Sequence, residues 1–273
     1  MSRDFTISKY RDLLLALQRT GYDFIPFGDV CKYAQEHPEK PMPAGRYVML
    51  RHDVDLRAGN SLRTAQVEHG LGIRASYYFR VIPQSNQPDI IHAIADMGHE
   101  IGYHYEDMSI ADGDVPKALA HFEQWLAYFR QFYPVRTICM HGAPASRYDG
   151  RDLWKTKNYR DYGIIGEPYF DIDFNKVFYL TDTGRRWDGY RVSVRDKVKQ
   201  QEQWIQEGRA FHTTDDLIRS LSDGSFESRI GDAVMITTHP QRWIDNTRLW
   251  MREYILQTVK NNVKRILLWA KGY

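Results

Sequence analysis

The chain has 273 residues, 42% hydrophobic and 14% aromatic, enough to bury the core of one large domain or two small ones. Its 37 basic and 35 acidic residues are spread along the whole length, a charge pattern that predicts neither nucleic acid nor an anionic membrane as a partner. Two cysteines are too few for a disulfide framework, and we find neither a signal-peptide core nor a run of about 18 apolar residues. We therefore expect a cytoplasmic protein without membrane insertion.

Apolar runs alternate with helix-periodic segments, which is the pattern of an α/β protein with a parallel sheet. Residues 6–35 are predicted to form an opening helix and its connection, and a proline-rich link at 38–45 leads into the first strand. The predicted strands are 47–52, 75–80, 99–104, 136–141, 162–166, 177–182 and 233–239. The predicted helices are 58–69, 87–97, 114–132, 213–222 and about 243–269. About seven parallel strands predict a distorted (β/α) barrel in a single domain over 1–273, with an N-terminal helical extension over 1–45.

The last predicted helix, over 243–269, has large apolar residues at helical spacing. The residues near one face are Trp250, Tyr254, Val263 and Leu267. We expect this face to pack against the sheet.

Titratable residues stand at the carboxyl ends of several predicted strands. In a parallel sheet or barrel these ends share one edge, and the loops that leave it build the active site. The residues at these positions are His52, Asp53, Asp55, His104, His141, Asp182 and His239. Because side chains alternate along a strand, Asp53 and Asp55 are predicted to share a face, with His52 on the other.

Two neighbouring carboxylates repel each other unless a cation lies between them or one of them stays protonated. Asp55 and His104 offer oxygen and nitrogen ligands that suit Zn²⁺ or a neighbouring transition metal. Asp53 is then free to act as a base. The alternative is structural: both aspartates cap the following helix, and His104 is a hydrogen-bonded histidine at the sheet edge.

Three motifs resemble the polysaccharide deacetylase superfamily, the enzymes with a NodB-homology domain. They are HDVD at 52–55, GHEIGYH at 98–104 and THPQRW at 238–243. The resemblance spans roughly residues 47–245 and implies a NodB-like barrel. It also implies a carbohydrate substrate.

The resemblance assigns roles to residues that match the family's motifs. It implies that Asp53 is the general base and that Asp55 and His104 bind a divalent metal, zinc being the expected ion. It implies that His239 is the general acid.

The segment DTGRRWDG at 182–189 follows a predicted strand and supplies the predicted substrate-binding residues. In the family, an aspartate and a tryptophan orient the acid histidine and wall the site, and the resemblance places Asp182 and Trp187 there. Arg185, with Arg186, has the guanidinium chemistry to bind a substrate carboxylate or phosphate. The alternative for this segment is a solvated turn.

The chain departs from the family pattern at two places. The family has a second metal-binding histidine four residues after the first, but Met108 stands at that position. The family's arginine-proline-tyrosine block is replaced by MHGAP at 140–144. We predict that His141 supplies the missing ligand, with Asp107 or Glu106 as local alternatives. His141 as a substrate donor or a structural histidine also stays open.

These features predict a metal-dependent hydrolase that removes an N-acyl group, above all N-acetyl, from an amino sugar of a surface-polysaccharide pathway. One alternative is metal-free hydrolysis of another C–N bond, such as that of a cyclic amide. Another is a catalytically degenerate protein that binds a glycan. A phosphatase-like nucleophile or a nucleotide-sugar transferase explains neither the GHEIGYH block nor the late His239.

Overall fold

The computed structural model describes residues 3–143, 145–188, 193 and 196–270, and over 265–270 it describes the backbone only. The strands are β1 (Asp23–Phe24), β2 (Tyr47–Val54), β3 (Ser76–Phe79), β4 (Glu100–Tyr105), β5 (Ile138–Met140), β6 (Phe178–Thr181) and β7 (Ala233–Thr238). The α-helices are α1 (Ile7–Arg19), α2 (Phe27–Glu36), α3 (Ala58–Gly70), α4 (Pro88–Asp96), α5 (Asp107–Ile110), α6 (Val115–Phe129), α7 (Pro168–Asp171), α8 (Gln201–Gln206), α9 (Thr214–Ser222), α10 (Ser225–Ile230) and α11 (Thr247–Ala270). Short 3₁₀ helices cover Gly150–Lys155, Tyr159–Tyr162 and Pro240–Arg242.

The described strands form one parallel sheet in the order β5-β4-β3-β2-β7-β6, and β1 pairs with the start of β2. The sheet curls into a half-barrel with helices packed around it, so the predicted α/β fold of about seven parallel strands is confirmed. Parallel pairing brings the carboxyl ends of the strands to one edge. The register sets Asp53 of β2 opposite Tyr78 of β3, and His104 of β4 opposite Cys139 of β5.

Strand β2 lies inside the sheet, between β3 and β7, and is buried along its whole length. A parallel strand with both faces covered is typically a continuous apolar run, which explains the residues from Tyr47 to Leu50. Helix α1 packs onto the same core through Tyr10, Leu13 and Leu17, which are at most 2% exposed. The segment predicted as an N-terminal extension thus contributes to the main hydrophobic core.

The prediction of a strand over 162–166 is wrong, because the structure has a turn and a single bridge there. The chain there leaves the 3₁₀ helix Tyr159–Tyr162 through Gly163, whose φ of 71° suits glycine and whose N–H donates to the carbonyl of Arg160 at 2.9 Å. Gly166 makes an isolated parallel bridge with Thr137. The seventh strand is instead the two-residue β1.

Helix α11 confirms one prediction and contradicts another. Trp250 and Tyr254 stack on each other, with centroids 5.3 Å apart, as their spacing predicts. The prediction that this face packs against the sheet is wrong, because Val263 is 50% exposed while the polar Asn261 is buried. The side chain of Leu267 lies outside the described residues.

Neither α11 nor any other described helix combines the length and the apolar character that crossing a bilayer requires.

Candidate functional site

Strand β2 places Arg51 and Asp53 on one face by its two-residue period, and Asp55 follows the end of the strand. Arg51 Nε and Nη2 donate to the two carboxylate oxygens of Asp53 at 2.8 and 2.7 Å, deep inside the protein. Burial alone raises the pKa of Asp53, but Arg51 and then His104 bring it below its ordinary value. Asp53 is therefore ionised at neutral pH. We missed Arg51 in the sequence, although its spacing from Asp53 is the available signal.

Asp55, His104 and His141 converge at the sheet edge. The Oδ1 atom of Asp55 lies 3.5 Å from Nε2 of His104 and 3.5 Å from Nε2 of His141. One possible ligand atom from each residue lies within 4.8 Å of the others. Oδ1 is buried, and among the described residues none makes a hydrogen bond to it. Burial raises the pKa of this carboxyl, but the histidines outweigh it and hold the pKa well below its usual value.

Both histidines have their Nδ1 atoms engaged. Nδ1 of His104 lies 2.9 Å from the carbonyl oxygen of Cys139, and Nδ1 of His141 lies 2.8 Å from Oε2 of Glu106. A carbonyl or carboxylate oxygen only accepts, so each Nδ1 donates to it and each ring turns Nε2 toward Oδ1 of Asp55. Arg80 holds Glu106 with two bonds of 2.8 Å. Arg80 ends the predicted strand 75–80, the kind of position that identified the other site residues, but we missed it.

The trio of Asp55, His104 and His141 fits a divalent metal. One carboxylate and two imidazoles are a ligand set that catalytic zinc uses, and the buried Oδ1 of Asp55 lies 3.5 Å from both Nε2 atoms. A second group, Asp53 with His104 and Cys139, fits less well. Burial raises the pKa of the Cys139 thiol, and Asp53 is already paired with Arg51.

The other residues considered for the third ligand have different partners. Asp107 accepts from the hydroxyl of Tyr103 at 2.9 Å and lies 2.5 Å from Nδ1 of His121. Glu106 lies behind His141 as its hydrogen-bond partner. Met108, at the position of the family's second histidine, is buried in the hydrophobic core.

His239 follows β7 and directs Nε2 toward the trio, 3.8 Å from Oδ2 of Asp55. Its Nδ1 lies 2.6 Å from Oδ1 of Asp182. The other donors to the carboxylate of Asp182 are the backbone N–H of His239, the indole of Trp243 and the guanidinium of Arg242. Burial raises the pKa of Asp182, while Arg242 and His239 bring it below its ordinary value. Asp182 is thus an ionised group that orients His239.

Trp187 and Arg185 contact residues of the surrounding helices and the N-terminal segment. Trp187 is buried, donates to Oγ1 of Thr214 at 3.0 Å and stacks on Phe5. The guanidinium of Arg185 lies 4.9 Å from the ring centroid of Trp250. The substrate-binding roles of Asp182, Arg185 and Trp187 stay predictions.

Asp196 is a further charged residue that we missed. Its carboxylate accepts from the hydroxyls of Tyr169, Thr181 and Thr183 at 3.0, 3.0 and 2.5 Å, and lies 3.8 Å from Nη2 of Arg51. Burial raises its pKa, but Arg51 and then His239 bring it far below the ordinary value. Asp196 follows no predicted strand, so the strand-end pattern could not identify it.

Comparisons with known proteins assign no family to this chain. No family model matches the chain, and no curated protein matches it significantly. A solved structure of a family 4 carbohydrate esterase from Streptomyces lividans, in complex with acetate, is similar at 16% identity. The match covers 79% of this chain and 90% of that chain, with a TM-score of 0.38. This similarity is too low to assign a family or a function.

Proposed function

We propose that the protein is a metal-dependent hydrolase that removes an N-acetyl group from an amino sugar. The observation that carries this proposal is the arrangement around Asp55, whose buried oxygen faces the Nε2 atoms of His104 and His141. An ionised carboxylate, Asp53, lies 3.7 Å from Nε2 of the same His104, and the oriented His239 lies beside Asp55. A metal set, a base and an acid are the parts that amide hydrolysis requires.

The trio of Asp55, His104 and His141 would hold the metal, which when bound supplies Lewis-acid polarisation of the acyl oxygen and a more acidic water. Asp53, fixed by Arg51, accepts a proton from the attacking water. Nε2 of His239 donates a proton to the departing amine nitrogen. Asp182 accepts from Nδ1 and stabilises the imidazolium form of His239.

The substrate class rests on the motifs that resemble the deacetylase superfamily, because the geometry alone supports hydrolysis of several amides. We propose an N-acetylated amino sugar carried on a nucleotide or a lipid. The carbohydrate would lie across the sheet edge, with its acyl carbon between Asp53 and His239.

The test measures acetate release from N-acetylated amino-sugar substrates by the zinc-loaded protein and its variants. Asp53→Asn and His239→Ala should each lower kcat by about 10²–10⁴-fold, the usual contribution of one positioned proton-transfer group. The matched controls Asp29→Asn and His69→Ala change exposed groups away from the site and should keep full activity. Because Asp53→Asn leaves the buried Arg51 without its paired carboxylate, thermal unfolding must show that this variant is folded.

Full activity in either site variant would refute the mechanism. Activity that survives complete chelation would favour metal-free hydrolysis, with Asp55 as an orienting residue. Glycan binding without turnover on any tested metal would favour the degenerate binding protein.

A further inference from the structure

Helix α11 turns a row of apolar side chains outward. Met251, Ile255, Val259 and Val263 follow one another at four-residue spacing, so they lie along one side of the helix. Each is between 47% and 56% exposed. We call the exposed apolar side chains of this helix the outward face, which consists of Leu249, Met251, Ile255, Leu256, Val259 and Val263.

The charge of α11 is strongly one-sided. Its sequence contains five basic residues, Arg248, Arg252, Lys260, Lys264 and Arg265, and a single acidic residue, Glu253. Arg248, Arg252 and Lys260 are exposed beside the apolar row. Glu253 is paired with Arg57 of the neighbouring loop at 3.3 Å. The helix therefore offers apolar and positively charged groups to whatever it meets.

We propose that the outward face of α11 binds the surface of a bilayer that contains anionic lipids. Apolar side chains of an interfacial helix enter the boundary between headgroups and acyl chains, and nearby basic side chains are attracted to lipid phosphates. A second copy of this chain fits less well. Two such helices packed against each other bring like charges together, and the acidic residue that could compensate is already paired with Arg57.

The helix is joined to the candidate site through a short chain of contacts. Arg57, the partner of Glu253, also donates to the carbonyl of Gln241 at 3.5 Å. The side chain of Gln241 donates to Oδ2 of Asp55 at 3.2 Å. A protein bound through α11 therefore keeps this edge of the sheet near the membrane surface. If the proposed function holds, that location suits a lipid-linked amino sugar.

The experiment is co-sedimentation of the full-length protein, without substrate, with vesicles of phosphatidylglycerol and phosphatidylcholine in equal parts. Binding should weaken as salt is added and should be at least about tenfold weaker on pure phosphatidylcholine. The double variant Ile255→Gln, Val259→Gln should lower the partition coefficient at least about tenfold. Arg252→Gln should lower it about fivefold. The matched control Ile110→Gln changes an equally exposed residue elsewhere, 46% exposed, and should bind like the unaltered protein.

Glutamine has a higher helix propensity than isoleucine or valine, so the double variant should fold, which circular dichroism checks. If it does not fold, Arg252→Gln alone decides. The proposal is overturned if the protein does not bind anionic vesicles, or if the variants bind them as well as the control does. It is also overturned if sedimentation equilibrium shows a dimer that the double variant dissociates, or if an acidic protein occupies the face and excludes vesicles. Because no substrate is present, failure of the deacetylation assay leaves this result unaffected.

Discussion

Two clusters of buried carboxylate and histidine lie on opposite faces of β2, and they differ in how their oxygens are used. Behind the strand, Glu68 accepts from the hydroxyl of Tyr77 at 2.8 Å, lies 2.8 Å from Nε2 of His52, and also accepts from Tyr10. On the other face, the described residues make no hydrogen bond to Oδ1 of Asp55. The first cluster is a saturated structural network. In the second cluster, Oδ1 of Asp55 lies 3.5 Å from the Nε2 atoms of His104 and His141, beyond an ordinary hydrogen bond.

This difference separates a structural role from a binding role. A buried carboxylate with every oxygen satisfied stabilises the fold, because removal of any partner leaves a costly unpaired group. A buried oxygen without a donor costs stability, and a cation offsets that cost. The neighbouring residues His52 and Asp53 belong to different clusters because side chains alternate along β2.

Exchange of the acid for its amide should affect the two clusters very differently. Glu68→Gln should lower the free energy of unfolding by about 3–5 kcal/mol, since it breaks a fully buried charged network. Asp55→Asn, measured in metal-free buffer, should lower it by only about 1 kcal/mol, because the histidines that depress the pKa of this carboxyl stabilise its charge, while Oδ1 accepts no hydrogen bond from the described residues. Urea unfolding of both variants checks this. Equal losses would mean that Asp55 is structural.

Glu106, the hydrogen-bond partner of His141, should affect zinc affinity more than stability. Glu106→Gln should lower zinc affinity about 10–100-fold, because it removes the negative charge from the acceptor that orients a ligating histidine. Asp107→Asn is the matched control, because that acid contacts Tyr103 and His121 instead. It should lower stability and leave zinc affinity unchanged. The same zinc affinity in Glu106→Gln as in the unaltered protein would show that His141 is not a ligand.

Asp196 should make a pH-dependent contribution to stability. Its pKa in the folded protein lies far below the ordinary value of 3.8, so the stabilisation is present above about pH 4 and is lost as the pH falls further. Asp196→Asn should cost about 1–2 kcal/mol at pH 7 and show a shallower loss of stability in acid. Urea unfolding at pH 7 and pH 3 measures both. Parallel pH profiles for the two proteins would contradict this role.

The sequence predicted the residues at the candidate site better than it predicted their supports. Asp55, His104 and His141 each end a strand, and parallel pairing then brings them to one edge without further information. Arg80 ends the predicted strand 75–80, so the strand-end pattern could have identified it, whereas Asp196 follows no predicted strand. Arg51 lies in the predicted strand 47–52, two residues before Asp53, and this spacing was the available signal for their ion pair.

The prediction for α11 failed for a different reason. Val263 is 13 residues after Trp250 and lies roughly 140° from it around the helix axis, so the four predicted residues do not share one face. Here a buried polar group, Asn261, donates to the carbonyl of Gly184 at 2.9 Å, and the apolar row faces outward. The near-neutral charge of the whole chain also concealed a helix with a basic surface.

Zinc titration by calorimetry, with the unaltered protein and His141→Ala in parallel, tests the central claim most directly. We expect the unaltered protein to bind one Zn²⁺ at the trio of Asp55, His104 and His141. His141→Ala should bind it more than about 100-fold more weakly, since loss of a ligand exceeds the effect of losing its outer partner. His239→Ala should keep the ion, because that residue acts as the acid. Equal zinc affinity in His141→Ala and the unaltered protein, or no binding by either, would contradict the account.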